Sequence, residues 1–197
     1  MCYNVVEVNH KGRILGMKLL IASDLHGDLD SARAVIAAFE REKCDRLVLL
    51  GDILYHGPRN DLPTTYAPKS VIELLNAHKD VILAVRGNCD TEVDQMVLSF
   101  PILADYAFIS IDGLSIFATH GHKFNLDNLP SLREGEILLH GHTHILCAEE
   151  FGNKNTYLNP GSAAIPKGGN PRTYMVYDNR EFSIIDLDGN VVLSKMF

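Results

Sequence analysis

An α/β fold of two packed β-sheets flanked by helices is what the sequence predicts, and three observations carry that prediction. Residues 17–98 alternate short apolar runs with helically spaced apolar residues, the signature of parallel βαβ units. After Pro101 the pattern changes to closely spaced strands joined by Asp-Gly, Gly-Asn and Asp-Asn turns. The strands are then too many for one sheet, which calls for a second sheet packed on the first.

The apolar run Lys18–Ser23 reads as a strand, Ala32–Arg41 as a helix with Val35, Ile36 and Phe39 on one face, and Arg46–Leu50 as a second strand. Gly51–Lys69 contains Gly57, Pro58, Pro63 and Pro68 and reads as a long loop, a length that usually marks a functional segment. A helix carrying Val71, Ile72, Leu74 and Leu75 comes next, then the strand Val81–Val85 and a helical segment over Glu92–Leu98. Tyr106–Ile111 and Leu114–Thr119 form a hairpin about Asp112-Gly113. Ile137–Leu139, Cys147–Phe151, Thr156–Leu158, Thr173–Tyr177, Phe182–Ile185 and Val191–Leu193 complete the strands. Residues 1–16 do not join this pattern and are read as an N-terminal extension, with one domain over residues 17–197.

Composition narrows the function classes. The chain is 46% hydrophobic and 22% charged over 197 residues, which excludes disordered and fibrous classes. No run of about 18 apolar residues occurs, and the first sixteen residues hold Glu7, His10, Lys11 and Arg13 in place of a signal peptide's apolar core. A cytoplasmic protein with no membrane partner is expected. Eighteen basic against 25 acidic side chains give a formal charge of −7, which argues against stable nucleic-acid binding. Cys2, Cys44, Cys89 and Cys147 form no C-x-x-C pair and are read as reduced thiols.

Nine histidines carry more information, because four fall in two H-x-H pairs, His120 with His122 and His142 with His144. In open α/β sheets ligands bind beyond the carboxyl ends of the strands, so the residues just past each predicted strand are the candidates for a site. They are Asp24-Leu25-His26, Gly51-Asp52, Arg86-Gly87-Asn88-Cys89-Asp90, His120-Gly121-His122 and His140-Gly141-His142-Thr143-His144. Five strands thus deliver carboxylate, imidazole or amide to one rim, each beside a glycine that lets the backbone turn off the strand. This donor set suits manganese, iron, zinc, cobalt, nickel or magnesium. Seven donors exceed one tetrahedral ion and suit two ions sharing a carboxylate, for which Asp52 is the best placed. Two divalent ions would also make the mouth locally cationic and attract an anionic substrate.

Asp24-x-His26, Gly51-Asp52, Gly87-Asn88-x-Asp90, His120 and Gly141-His142-x-His144, in that order, resemble the five blocks of the calcineurin-like metallophosphoesterases. The His56–Asn60 loop, Asn159–Ser162 and Ile165–Gly169 resemble the small YfcE-type phosphodiesterase subgroup. The resemblance implies an αββα sandwich and a two-metal centre commonly loaded with manganese. It implies Asp24, His26, Asp52 and His144 around one ion and Asp52, Asn88, His120 and His142 around the other. It further implies hydrolysis of small phosphodiesters by in-line attack of a metal-bridging hydroxide. Many relatives carry histidine where this chain has Cys89, which leaves the general acid open.

His56, Arg59, Cys89 and His122 are the auxiliary catalytic candidates, since they fall in or beside the same rim. His122 either touches substrate or packs behind the ligands, and His140, last in its strand, is read as structural. Asp24 is read as a ligand and not a helix cap, because Asp28, Asp30 and Ser31 are better placed to cap. A metal-binding interaction scaffold of the same fold is the alternative function. A hydrophobic, strand-rich second half makes a homo-oligomer, dimer or tetramer, the expected assembly.

Overall fold

The computed structural model describes residues 16–197. Residues 1–15, and with them nearly all of the proposed extension, His10 and Cys2, lie outside the described residues. The elements run β1 (Leu19–Ala22), α1 (Leu29–Arg41), β2 (Arg46–Leu49), α2 (Pro68–Asn76), β3 (Ile82–Ala84) and α3 (Glu92–Val97). Eight strands come after them: β4 (Tyr106–Ile111), β5 (Leu114–Thr119), β6 (Ile137–Leu139), β7 (Cys147–Phe151), β8 (Asn155–Asn159), β9 (Thr173–Asp178), β10 (Glu181–Asp186) and β11 (Val191–Met196).

Two mixed sheets result, flanked by helices. The first has the order β11-β10-β9-β1-β2-β3, with β1, β2 and β3 parallel. The second has the order β4-β5-β6-β8-β7, with β5, β6 and β8 parallel between antiparallel edges. Alternation decides which side chains go where. Ile21, Val48, Ile116, Ala118, Leu139, Leu158 and Met175 turn inward and form the core between the sheets. Leu20, Ala22, Leu47 and Leu49 face the other way and pack with Val35, Ile36 and Phe39 of α1 and Val71 and Leu75 of α2.

Local chemistry sets the boundaries. Asp28 caps α1, accepting the Ser31 amide at 3.1 Å, so the helix begins at Leu29, ahead of the Ala32 start that the apolar spacing suggests. Pro68 opens α2, where its missing N–H costs nothing, and the long loop therefore ends at Ala67. Thr91 and Asp94 close a reciprocal capping box on α3. Val81 belongs to a 3₁₀ turn and not to β3. The last three strands return to the first sheet, β9 pairing antiparallel with β1, so the strand-rich half is divided between the two sheets. Among the described residues no helix is long and apolar enough to cross a membrane.

Candidate metal centre

The carboxyl ends of β1, β2 and β3 in one sheet and of β5 and β6 in the other open onto the same rim. Asp24 and His26 come after β1, Asp52 after β2, Asn88 after β3, His120 after β5, and His142 and His144 after β6. All seven residues predicted to bind metal are brought together there. Asp24, His26, Asp52, His142 and His144 have φ between 46° and 65°, a left-handed conformation that non-glycine side chains avoid. Strain of this kind persists only where the surroundings over-determine it, and it collects at functional sites.

Close approach of the loops depends on two glycines. A β-carbon on Gly87 would sit 2.1 Å from Asp52 Oδ1, and one on Gly141 would sit 1.9 Å from Ser23 Oγ and 2.7 Å from Asp24 Oδ2. Neither needs a positive φ, so their requirement is space and not backbone freedom.

The backbone also aims the imidazoles. His26 Nδ1–H donates to the Tyr55 carbonyl at 2.8 Å, His120 Nδ1–H to Leu50 at 2.7 Å and His144 Nδ1–H to Ile165 at 2.5 Å. A ring that donates through Nδ1 presents Nε2 as the free position. His144 Nε2 lies 3.2 Å and His26 Nε2 3.6 Å from Asp24 Oδ1. His26 Nε2 is 3.8 Å and His120 Nε2 3.5 Å from Asp52 Oδ2. His120 Nε2 also faces Asn88 Oδ1 at 3.0 Å and His142 Nδ1 at 3.2 Å.

The remaining carboxylate oxygens are occupied. Asp24 Oδ2 accepts from Ser23 Oγ at 2.6 Å and from the His142 amide at 3.0 Å, and Asp52 Oδ1 accepts from the Cys89 amide at 2.8 Å. Asp24 Oδ1, by contrast, is buried with no hydrogen-bond partner. Acceptors thus converge on acceptors: carboxylate, amide oxygen and imidazole lone pairs share a buried volume that needs a proton or a cation between them. Clustered Asp and His donors of this type fit a divalent metal, and Asp24, His26 and His144 place their donor atoms within 4.8 Å of one another, as do Asp24, Asp52 and His120.

Protonation shows the same demand. Burial would lower the His120 pKa, but its hydrogen bond to Asp52 and the charges of Asp24 and Asp52 raise it to about 9. Burial also opposes the raised pKa of His26, which Asp24 supports. For Asp24, burial is outweighed by His144 and His26, which hold the carboxyl well below its usual range. The acidic neighbours therefore favour a proton on His120, whereas burial and His120 lower the pKa of His142.

Beside these groups opens a cleft of about 440 Å³ lined by Asp52, Asn88, Cys89, His142 and His144, with Arg59, Asn60, Thr143 and Lys167 around its mouth. Of the auxiliary candidates, Arg59 and Cys89 line it. Cys89 Sγ is within 4.8 Å of donor atoms of His26 and Asp52. Burial, and then the Asp52 charge, push its thiol far up, so it stays protonated at neutral pH. His56 is not among the residues lining the cleft and packs on two tyrosine rings, 4.7 Å from Tyr55 and 5.3 Å from Tyr66. His122 packs 5.4 Å from the His120 ring, and burial and the neighbouring His120 and His142 lower its pKa to about 4. His140 is buried and stacks on Tyr157 at 4.5 Å.

Sequence reasoning gives Asp90, Asn159, Ser162 and Lys167 no work of their own. In the structure Asp90 accepts the amides of Asp52, Ile53 and Gly87 at 2.7–2.9 Å, joining the β2 and β3 loops. Ser162 Oγ donates to the Asp24 carbonyl at 3.0 Å, and Asn159 Nδ2 donates to the Gly141 carbonyl at 3.0 Å. Their signal is present as polar residues flanking glycine, but which backbone groups they hold is a tertiary fact.

Known proteins share this arrangement of strands. The family model described as "Calcineurin-like phosphoesterase superfamily domain" matches residues 17–181. Phosphodiesterase YfcE of Escherichia coli (strain K12) is 46% identical over 180 residues, covering 91% of this chain and 97% of the relative. Phosphodiesterase MJ0936 of Methanocaldococcus jannaschii is 29% identical over 153 residues, 74% of this chain and 83% of the relative. The solved structure of YfcE, described as a phosphoesterase from E. coli, superposes with a TM-score of 0.88 at 47% identity, covering 91% of this chain and 98% of that one. Vacuolar protein sorting 29 of Cryptosporidium parvum shares the fold at a TM-score of 0.61 and 22% identity, covering 93% of this chain and 98% of that one.

Proposed function

The chain belongs to the calcineurin-like phosphoesterase superfamily, and from that premise we propose that it is a two-metal phosphodiesterase acting on small phosphodiesters. The observation that carries the reading is the set of imidazoles whose Nδ1–H groups are tied to backbone carbonyls, so that Nε2 atoms face the carboxylates of Asp24 and Asp52. Asp24, His26, Asp52 and His144 would hold one ion, and Asp52, Asn88, His120 and His142 the other. Asp52 Oδ2 would be the shared donor in this assignment, since it lies within 4 Å of both His26 and His120 while Oδ1 is spent on the Cys89 amide. Carboxylate, imidazole and amide donors suit manganese among the candidate ions.

Two bound divalent ions would supply Lewis acidity toward the phosphoryl oxygens and acidify coordinated water. The chain's own residues do the rest. Asp90 and the backbone carbonyls fix the donors before substrate arrives, so little reorganisation is left for the reaction. Arg59 and Lys167 at the mouth attract the phosphodiester's negative charge. Cys89 presents a compact side chain beside the reacting centre.

Hydrolysis of bis(p-nitrophenyl) phosphate and p-nitrophenyl phosphate by chelator-stripped protein tests this, with manganese, nickel, zinc or magnesium restored and Asp52→Asn in parallel. Metal-restored diester cleavage that Asp52→Asn abolishes is the expected result. Two bound metals with no cleavage of either ester would overturn it in favour of a metal-binding scaffold.

A further inference from the structure

A second, apolar groove of about 340 Å³ lies against the metal cleft, and Cys89 lines both. Its walls are Leu54, Tyr55 and Tyr66 of the long loop, Ile72 of α2, and Val93 and Val97 of α3. The exposure of these walls stands out: Tyr55 is 41%, Val93 69% and Val97 44% exposed, so three large apolar residues from the long loop and α3 converge on water. Of its polar neighbours, Asp94 spends Oδ2 on the amide and hydroxyl of Thr91, and Lys69 is exposed. The volume falls in the range that holds small ligands, about 300–1,000 Å³.

Continuity with the metal site decides what occupies the groove. Cys89 Sγ lies within 4.8 Å of donor atoms of His26 and Asp52, so the groove begins one side chain away from where phosphorus would sit. A phosphodiester carries two organic arms out from that centre. The mouth beside Arg59 and Lys167 is polar and the groove beyond Cys89 is not. We infer that the groove is the subsite for one arm of the diester and selects an aromatic arm, with Val93 and Val97 as specificity-determining residues. This inference rests on the phosphodiesterase reading and names the substrate class within it. Cys89 suits the junction by size, since a small side chain separates the cleft from the groove.

The test uses phenylphosphonate and methylphosphonate, which carry one arm and no scissile bond. Calorimetry on the manganese-loaded protein is expected to show phenylphosphonate binding about tenfold tighter, the effect of burying most of a ring. Methyl NMR signals of Val93 and Val97, read on the magnesium-loaded protein, should shift with phenylphosphonate and not with methylphosphonate. Val93→Glu, at an exposed position in the first turn of α3 where an acidic residue is compatible with the helix, should remove the preference, and Val93→Leu should keep it. Equal binding of the two phosphonates, unmoved methyl signals, or a preference that survives Val93→Glu would overturn the subsite while leaving the phosphodiesterase reading intact. Absence of binding by either phosphonate together with absence of diester cleavage would bring down both.

Discussion

The Asp90 carboxylate accepts the backbone amide of Asp52 at 2.8 Å, and through the same oxygen the amide of Gly87 at 2.7 Å. One buried side chain therefore sets the spacing between the loop carrying Asp52 and the loop carrying Asn88. Asp90 does not line the cleft, so it acts by position alone.

Replacing Asp90 with Ala leaves three buried amides, those of Asp52, Ile53 and Gly87, without an acceptor. At about 1–3 kcal/mol for each orphaned buried group, a loss of at least ~3 kcal/mol is expected. Urea denaturation of the metal-free protein measures it, and a loss below ~1 kcal/mol would show that water replaces the carboxylate.

Chelation should make stability strongly dependent on pH. His120 has its folded pKa raised to about 9 from an unfolded value near 6.5, so its contribution is complete below pH 6.5 and lost as pH rises through 9. The metal-free protein is expected to lose on the order of 3 kcal/mol across that window. Manganese should flatten the profile, because metal binding displaces the protons. Thermal melts across that window, with and without manganese, decide the matter, as does proton release on adding metal near neutral pH.

Gly141→Ala is expected to damage metal binding more than folding. The new β-carbon would meet Ser23 Oγ at 1.9 Å and Asp24 Oδ2 at 2.7 Å, so Asp24 must move. A destabilisation of about 1–3 kcal/mol should accompany a manganese affinity roughly tenfold weaker or worse, read by calorimetry.

Cys89 bears on the leaving group. Burial and Asp52 raise the Cys89 thiol pKa in the metal-free site, and a thiol is a weaker proton donor than an imidazolium, so the departing alkoxide or phenoxide is expected to leave without help from this side chain. Diester hydrolysis should slow steeply as the leaving-group pKa rises. A flat dependence across substituted phenyl esters would reveal a proton donor elsewhere in the cleft.

The rim is legible in the sequence because its residues sit at strand ends: short apolar runs locate β1, β2, β3, β5 and β6, and the residues just past each strand fall on one edge of its sheet. Asp24 and Asp52 are readable for that reason. The surroundings of His56 are not legible in this way, because loop position says nothing about which way a ring turns. The His56 ring packs on Tyr55 and Tyr66, and the second of these contacts, made across the long loop, is invisible to spacing. Asp90 is visible as part of a block but not as a fastener, since two of its partners are backbone amides of another strand's loop. The division of the late strands between sheets also escapes the pattern, because pairing of β9 with β1 joins the two ends of the described chain.

That pairing governs the order in which a growing chain can become competent. Until Thr173–Asp178 has emerged from the ribosome, β1 has one uncovered edge. Asp24 likewise waits for the Ser162 hydroxyl that holds its carbonyl. A nascent chain halted just before Ser162 would thus carry all seven donor residues yet leave β1 open to pairing with another strand, a state that favours association over chemistry. The segment from Ser162 onward, which supplies none of the seven donors, covers that edge of β1 and ties down Asp24.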